Sequence, residues 1–138
     1  MKKYQQTDHT ADIGLKIFGN SLLDLFANAG YALCDTLTDI SKVSPVIKQT
    51  FRLQRDTTEE LLVEWMGDLL YTFETEGLLF SRFNIISIDK NSLSAEAEGE
   101  FFNTDVHIIK NGIKAVTYHK LKIEEKNGLW QAEVVLDI

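Results

Sequence analysis

The stretch AVTYHKLKIEEKNGLWQAEVVLDI, residues 115–138, decides the fold at the C-terminal end of the chain. Two alternating runs flank Asn127-Gly128, and Asn-Gly is the strongest short-range signal for a two-residue type I′ turn. The pattern therefore predicts a β-hairpin with one face able to line a core and one polar face. The residues predicted to face the core are Leu121, Ile123, Trp130, Ala132, Val134 and Leu136.

The turn also predicts a register for this hairpin. Counting outward from a Lys126–Leu129 pair places Tyr118 opposite Asp137. The C-terminal end is then paired, and pairing holds its side chains in fixed directions. The further predicted pairs are Leu121 with Val134, Lys120 with Val135 and Thr117 with Ile138.

Two carboxylates could converge at this end of the hairpin. The Asp137 side chain lies one residue before the α-carboxylate of Ile138. Carboxylate oxygens suit Ca²⁺, Mg²⁺ or Mn²⁺ better than Zn²⁺, which more often takes nitrogen and sulfur. On the hairpin alone a solvated strand end is the preferred interpretation, because a metal site needs a further ligand.

The stretch DHTADIGLKIFG, residues 8–19, supplies a candidate for that ligand. Alternating apolar residues after Asp12 predict a strand, and His9 and Asp12 stand where the chain enters it. In a turn, both side chains could face one cavity. Local side-chain-to-backbone hydrogen bonds from Asp8, Thr10 and Asp12 explain the same residues equally well. The sequence leaves both interpretations open.

Two amphipathic helices are predicted, near residues 21–36 and 58–75. Asn20 or Ser21 is the candidate N-cap of the first, and a capping-box-like run precedes the second, which ends before Gly77. Both helices carry apolar residues at the spacing of one helical face. The residues predicted to be buried are Leu25, Phe26, Leu33, Leu62, Trp65, Met66, Leu69, Val134 and Leu136.

The remaining segments read as strands and one irregular connection. A strand is predicted at 46–55, and a second hairpin turns at 89–91. Residues 101–112 are predicted to be irregular, with His107 more often structural than a ligand. His119 falls on the apolar face of the last hairpin, which predicts a hydrogen-bonded histidine in the core or at its rim.

Composition narrows the class of protein. A length of 138 residues fits one α+β domain, residues 1–138, with the helices packed on a largely antiparallel or mixed β-sheet. The formal net charge of −7 disfavours direct binding to nucleic acid and favours basic protein partners. The one cysteine, Cys34, forms no internal disulfide, and no signal or membrane-spanning pattern occurs. We therefore expect a cytoplasmic protein with no membrane partner.

Common enzyme motifs are missing from the sequence. It has no Gly-rich phosphate loop, no G-x-S-x-G, no paired C-x-x-C and no H-E-x-x-H. A binding role is therefore predicted rather than catalysis. The acidic residues of the second helix indicate a solvated face, with a docking surface for a basic partner as the alternative. These residues are Glu59, Glu60, Glu64, Asp68, Glu74 and Glu76.

Three motifs together resemble one family. They are DHTADIGLKIFG at 8–19, KAVTYH at 114–119 and VVLDI at 134–138. In combination they resemble the archease family, whose members activate an RtcB-type RNA ligase in tRNA splicing and RNA repair. The resemblance spans nearly the whole chain. It departs at Lys120, where a glycine is expected after the tyrosine–histidine pair.

The resemblance implies a site and a role. By position, the implied ligands of a divalent cation, Ca²⁺ before Mg²⁺ or Mn²⁺, are Asp12, Asp137 and the carboxylate of Ile138, with His9 as a further candidate. The implied role is that of an accessory protein, not an enzyme, which promotes guanylylation and multiple turnover of the ligase. A chaperone or specificity modulator of a tRNA cytosine methyltransferase is the implied alternative. A metal-dependent hydrolase built on His9, Asp12 and Asp137 is a third interpretation, for which the sequence names no base.

Overall fold

The described residues form two antiparallel β-sheets and two α-helices. The computed structural model describes residues 2–8 and 11–138, with Asp8 described by its backbone alone. In chain order the elements are β1 (Tyr4–Asp8), β2 (Asp12–Gly19), α1 (Leu22–Leu37), a short 3-10 helix (Ile40–Lys42), β3 (Ile47–Gln54), α2 (Thr58–Glu76), β4 (Leu78–Ile88), β5 (Ser92–Phe101), β6 (Ala115–Lys126) and β7 (Leu129–Asp137). The first sheet has the strand order β1-β2-β7-β6 and the second β3-β5-β4. The predicted α+β class is confirmed.

The helix ends follow the capping residues of the sequence. Ser21 caps α1, and its side chain accepts a hydrogen bond from the backbone N–H of Asp24 at 3.0 Å. Thr57 caps α2 in the same way, accepting from the N–H of Glu60 at 3.1 Å. Gly77 ends α2 with a left-handed φ of 72°, which glycine adopts without steric cost. Both predicted helices are therefore confirmed.

The helices lie between the two sheets, and each contacts both of them. Trp65 of α2 shows how the layers are joined. Its ring is fully buried and stands edge-on to Phe51 of β3, with the ring centroids 5.3 Å apart. Its Nε1 donates a hydrogen bond to the backbone carbonyl of Phe26 in α1 at 2.8 Å. Every residue predicted from the sequence to be buried is buried.

The predicted hairpin register is right at the turn and wrong further out. Lys126 pairs with Leu129, but the ladder shifts between Thr117 and Lys122. Lys120, inside the shifted segment, has a φ of 55°, in the left-handed region that disfavours side chains with a Cβ. Extra residues in one strand form a bulge that moves every later pair. The pairs that form beyond the bulge are Thr117 with Val135, Val116 with Leu136 and Ala115 with Asp137. The predicted pairs Leu121–Val134, Lys120–Val135, Tyr118–Asp137 and Thr117–Ile138 do not form.

The strand β1 was not predicted from the sequence, whereas the irregular segment after β5 was predicted. β1 (Tyr4–Asp8) pairs antiparallel with β2, although its sequence YQQTD carries no apolar alternation. Residues 102–114, which connect the second sheet to the first, contain no helix or strand beyond an isolated bridge between Thr38 and Ile109. Across the described ranges 2–8 and 11–138, no helix is long and apolar enough to cross a membrane.

Candidate functional site

Two aspartates meet at one edge of the first sheet. Asp12 begins β2 and Asp137 ends β7, and the two are direct partners in the antiparallel ladder. Directly opposed residues share a face of the sheet, with Cβ atoms about 4.5–5.5 Å apart. The next pair, Ile13 with Leu136, is buried on the opposite face. The two carboxylates therefore stand on the outer face of the sheet, at the rim of the core.

A shallow cavity of about 220 Å³ lies beside this pair, and His119 helps to line it together with Ala11, Asp12, Thr117, Val135 and Asp137. The Thr117 hydroxyl donates to the carbonyl of Val135 at 2.9 Å and accepts from the backbone N–H of His119 at 3.3 Å. His119 is exposed. The prediction that it lies on the apolar face of the hairpin is therefore wrong, because the shift in β6 changes which residues face the core.

A hydrogen bond from the segment before β6 holds the backbone at Asp137. The N–H of Lys114 donates to the Asp137 carbonyl at 2.7 Å, just before β6 begins. Ile138 follows directly and is 38% exposed. The last strand is thus paired on both sides up to Asp137, with β2 and with β6.

The donor chemistry of this edge suits a hard divalent cation. Asp12 and Asp137 offer carboxylate oxygens, which Ca²⁺ prefers. Within residues 2–8 and 11–138, however, no group of three or more His, Cys, Asp or Glu side chains is arranged to hold an ion. The α-carboxylate of Ile138, expected from the resemblance to be a third ligand, therefore stays a prediction. His9, the other candidate, lies outside the described residues.

Two residues with potentially reactive side chains, Cys34 and His107, are buried in the protein. Cys34 is buried in the core, and burial raises the pKa of its thiol to about 12. A thiol that stays protonated at neutral pH is a poor nucleophile. His107 is also buried, and both of its ring nitrogens lie within hydrogen-bonding distance of protein groups. The prediction that His107 is structural is confirmed.

The acidic residues of α2 do not form one solvated face. Glu64 pairs with Arg55, and only 14% of the Glu64 side chain is exposed. Burial raises the pKa of Asp68, and the positive charge of Arg55 acts in the opposite direction. The predicted solvated face is therefore wrong for these two residues. Glu74 and Glu76, near the end of the helix, are exposed.

The sequence profile of the Archease protein family matches residues 4–138. The chain belongs to the archease family. It is 38% identical to protein archease of Methanosarcina acetivorans over 141 residues, which cover 99% of this chain and 97% of the relative. It is 37% identical to protein archease of Sulfurisphaera tokodaii, with both chains covered completely. The resemblance found in the three motifs is confirmed.

Two solved structures share the fold. The solution structure of protein 1598 from Methanobacterium thermoautotrophicum matches with a TM-score of 0.87 and 33% identity, covering 100% of both chains. A crystal structure of an archease from Thermotoga maritima, described as a possible chaperone, matches with a TM-score of 0.67 and 22% identity, covering 97% of this chain and 96% of that one. The second match concerns the fold alone.

Proposed function

We propose that this protein is an accessory protein that activates an RtcB-type RNA ligase in tRNA splicing and RNA repair. In this role it promotes guanylylation of the ligase and its multiple turnover, and it is not itself an enzyme. Family membership over residues 4–138 is the observation that carries the proposal. The proposed location is the cytoplasm.

The Asp12–Asp137 edge is the proposed working part of the molecule. Asp12, Asp137 and the Ile138 carboxylate would hold one divalent cation, with Ca²⁺ preferred over Mg²⁺ or Mn²⁺. When bound, such an ion supplies positive charge that can stabilise phosphate oxygens in a partner's active site. The protein's own part is to hold the carboxylates at the end of paired strands, so that little ordering is needed when a partner docks.

The charge of the protein supports a partner that is basic. A net charge of −7 steers the protein toward positively charged surfaces, and a ligase that handles RNA needs such a surface. The buried, protonated Cys34 offers no nucleophile for an activity of its own. Activation through contact with another enzyme is consistent with both observations.

A multiple-turnover ligation assay with limiting ligase from the same organism tests this proposal. We expect catalytic amounts of the protein to raise the number of joined RNA molecules per ligase well above one. If the wild-type protein gives no increase at any concentration, the proposed function is wrong. Assays for phosphatase and nuclease activity without the ligase test the third interpretation, a metal-dependent hydrolase, and we expect no activity there.

A second candidate function is a chaperone or specificity modulator of a tRNA cytosine methyltransferase. Membership of the archease family over residues 4–138 supports this candidate as well as the first. A pull-down from the native extract separates the two candidates. Recovery of a ligase supports activation, and recovery of a methyltransferase without a ligase supports the second candidate.

A further inference from the structure

The connection between the two sheets carries several exposed apolar side chains. Val106, Ile108 and Ile109 lie within it, and Phe101 lies at its start. Ile108 is 63% exposed and Phe101 is 56% exposed. Exposed apolar side chains that are scattered singly need no explanation, whereas a contiguous apolar patch marks an interaction site. Val106, Ile108 and Ile109 fall within four consecutive positions, close enough along the chain to contribute to one patch.

A buried polar centre fixes the shape of this loop. The Nδ1 of His107 accepts a hydrogen bond from the backbone N–H of Asn103 at 3.0 Å. Its Nε2 then carries the proton and lies 3.0 Å from a carboxylate oxygen of Glu100 and 3.1 Å from the carbonyl oxygen of Lys42. The ring of Phe102 stacks on the imidazole, with the centroids 6.0 Å apart. His107 thereby joins the loop to β5 and to the segment before β3.

A second set of hydrogen bonds ties the loop to the end of α1. The Thr38 hydroxyl donates to the carbonyl of Ile108 at 2.6 Å, and the N–H of Lys110 donates to the carbonyl of Leu37 at 2.9 Å. The side-chain amide of Asn111 donates to the carbonyl of Thr36 at 2.7 Å. The backbone at Ile108 is therefore anchored while its side chain points to solvent. A surface that is ordered before binding loses less conformational entropy when a partner docks.

The loop lies at the same end of the molecule as the aspartate pair. Lys110 is anchored to α1, and Lys114 donates its N–H to the carbonyl of Asp137. The four residue-to-residue steps from Lys110 to Lys114 span at most about 14 Å. A protein that covers Asp12 and Asp137 can therefore also reach the loop.

The charges around the loop indicate what kind of partner fits. Lys110 Nζ lies 3.9 Å from a carboxylate oxygen of Asp35. Two hydrogen bonds from Ser41 are the main cause that lowers the pKa of Asp39, and the positive charges of Lys42 and Lys110 lower it further. Acidic groups exceed basic ones when the aspartate pair at this end is included, with Asp12, Asp35, Asp39, Glu100, Asp105 and Asp137 against Lys42, Lys110 and Lys114. A second copy of this chain would bring like charges together, whereas a basic protein surface would not.

We propose that Val106, Ile108 and Ile109 form a docking surface for a protein whose basic, RNA-binding cleft has an apolar border. This inference rests on the proposed function, in which that protein is the RNA ligase. The loop supplies affinity by seating its aliphatic side chains on the border of the cleft. The Asp12–Asp137 edge, brought to the cleft by that contact, supplies activation.

The test compares the double variant V106S/I108S with the control Ile86→Ser. Ile86 is also exposed, at 52%, but lies on β4 in the other sheet. Affinity for the purified ligase is measured by biolayer interferometry at physiological salt, with circular dichroism to check folding. We expect the double variant to bind at least tenfold more weakly, chiefly through faster dissociation, and the control to bind like wild type. The single variant Val106→Ser, expected to weaken binding by a smaller factor, replaces the double variant if that one unfolds.

The outcomes separate this inference from the proposed function. If wild type binds and activates the ligase, and the loop variants bind it equally well, the docking surface is wrong while the function stands. If wild type binds without activating and the loop variants lose binding, the surface stands while the function fails. If wild type does not bind the ligase, or if sedimentation shows a dimer that the loop variants abolish, the assigned partner is wrong.

Discussion

Asp12 and Asp137 face each other directly across β2 and β7, so that two carboxylates share one edge of the sheet. Like charges placed directly opposite in a sheet are destabilising. A divalent cation held by both carboxylates would offset this repulsion with its positive charge. The pair is therefore the part of the proposed mechanism most open to direct measurement.

Calorimetric titration with Ca²⁺ should reveal one site in the wild-type protein at low salt. We expect Asp12→Asn and Asp137→Asn each to weaken binding at least tenfold, about 1.4 kcal/mol, because each removes a charged ligand. Glu125→Gln, which removes an exposed carboxylate elsewhere on the first sheet, is the control and should bind like wild type. Absence of binding in wild type, or binding in both aspartate variants that is as tight as in wild type, would exclude the site.

A short extension of the C-terminus tests the third ligand. Adding a few residues after Ile138 moves the α-carboxylate away and leaves every side chain in place. We expect the same titration to show weaker binding in the extended protein. Unchanged affinity would mean that the third donor is another group.

Trp65 should contribute strongly to stability. Trp65→Ala removes a fully buried ring and its hydrogen bond to Phe26, so we expect a loss of about 3–5 kcal/mol in the free energy of unfolding. Tyr71→Ala, on the same helix but 65% exposed, should cost under about 1 kcal/mol. Urea denaturation measures both values. A loss under about 1 kcal/mol for Trp65→Ala would contradict the burial.

Replacing Lys120 with glycine should not destabilise the protein. Its left-handed φ of 55° costs a side chain with a Cβ about 1 kcal/mol, which glycine avoids. Lys120→Gly should therefore leave the free energy of unfolding unchanged or raise it by up to about 1 kcal/mol. The control Lys122→Gly, which falls in the regular part of the ladder, should lower it by about 0.5–1 kcal/mol. Equal losses in the two variants would argue against the bulge.

Alkaline pH should destabilise the protein through Cys34. Burial raises the pKa of its thiol from 9.0 to about 12, so the unfolded chain releases this proton at lower pH than the folded chain. Below pH 9 the thiol is protonated in both the folded and the unfolded chain, so it causes no loss of stability. The loss grows as the pH rises from 9 toward 12. At pH 10 we expect a loss of about 1.4 kcal/mol from this group. The difference between wild type and Cys34→Ala in denaturant titrations at pH 8 and pH 10 measures it, and equal losses in both proteins would contradict it.

Much of the fold could be predicted because local signals agreed with the final structure. Capping residues such as Ser21 and Thr57 and the terminator Gly77 gave the helix ends. The aspartate pair was a different case, because its two residues lie at opposite ends of the chain. The residues alone offered Asp12 as a candidate ligand beside Asp137 and left a turn of local hydrogen bonds equally open, and the motif resemblance favoured the first interpretation before the sheet order was known.

The failures of prediction have two physical causes. Counting along the hairpin assumed an uninterrupted ladder, and the shift between Thr117 and Lys122 moved His119 from the expected core face to the cavity beside Asp137. The glycine expected at position 120 was the one sequence signal of an unusual backbone there. β1 was missed because YQQTD has no apolar alternation and pairs through its backbone at the edge of the sheet.

The most direct test of the central claim is the rate at which the RNA ligase becomes guanylylated in the presence of saturating Asp137→Asn protein. Saturation removes differences in affinity, so the rate reports activation alone. We expect wild type and the control Glu125→Gln to accelerate guanylylation, and Asp137→Asn to bind the ligase but to accelerate guanylylation at least tenfold less. Acceleration by Asp137→Asn equal to that of wild type would contradict the proposed role of the aspartate pair.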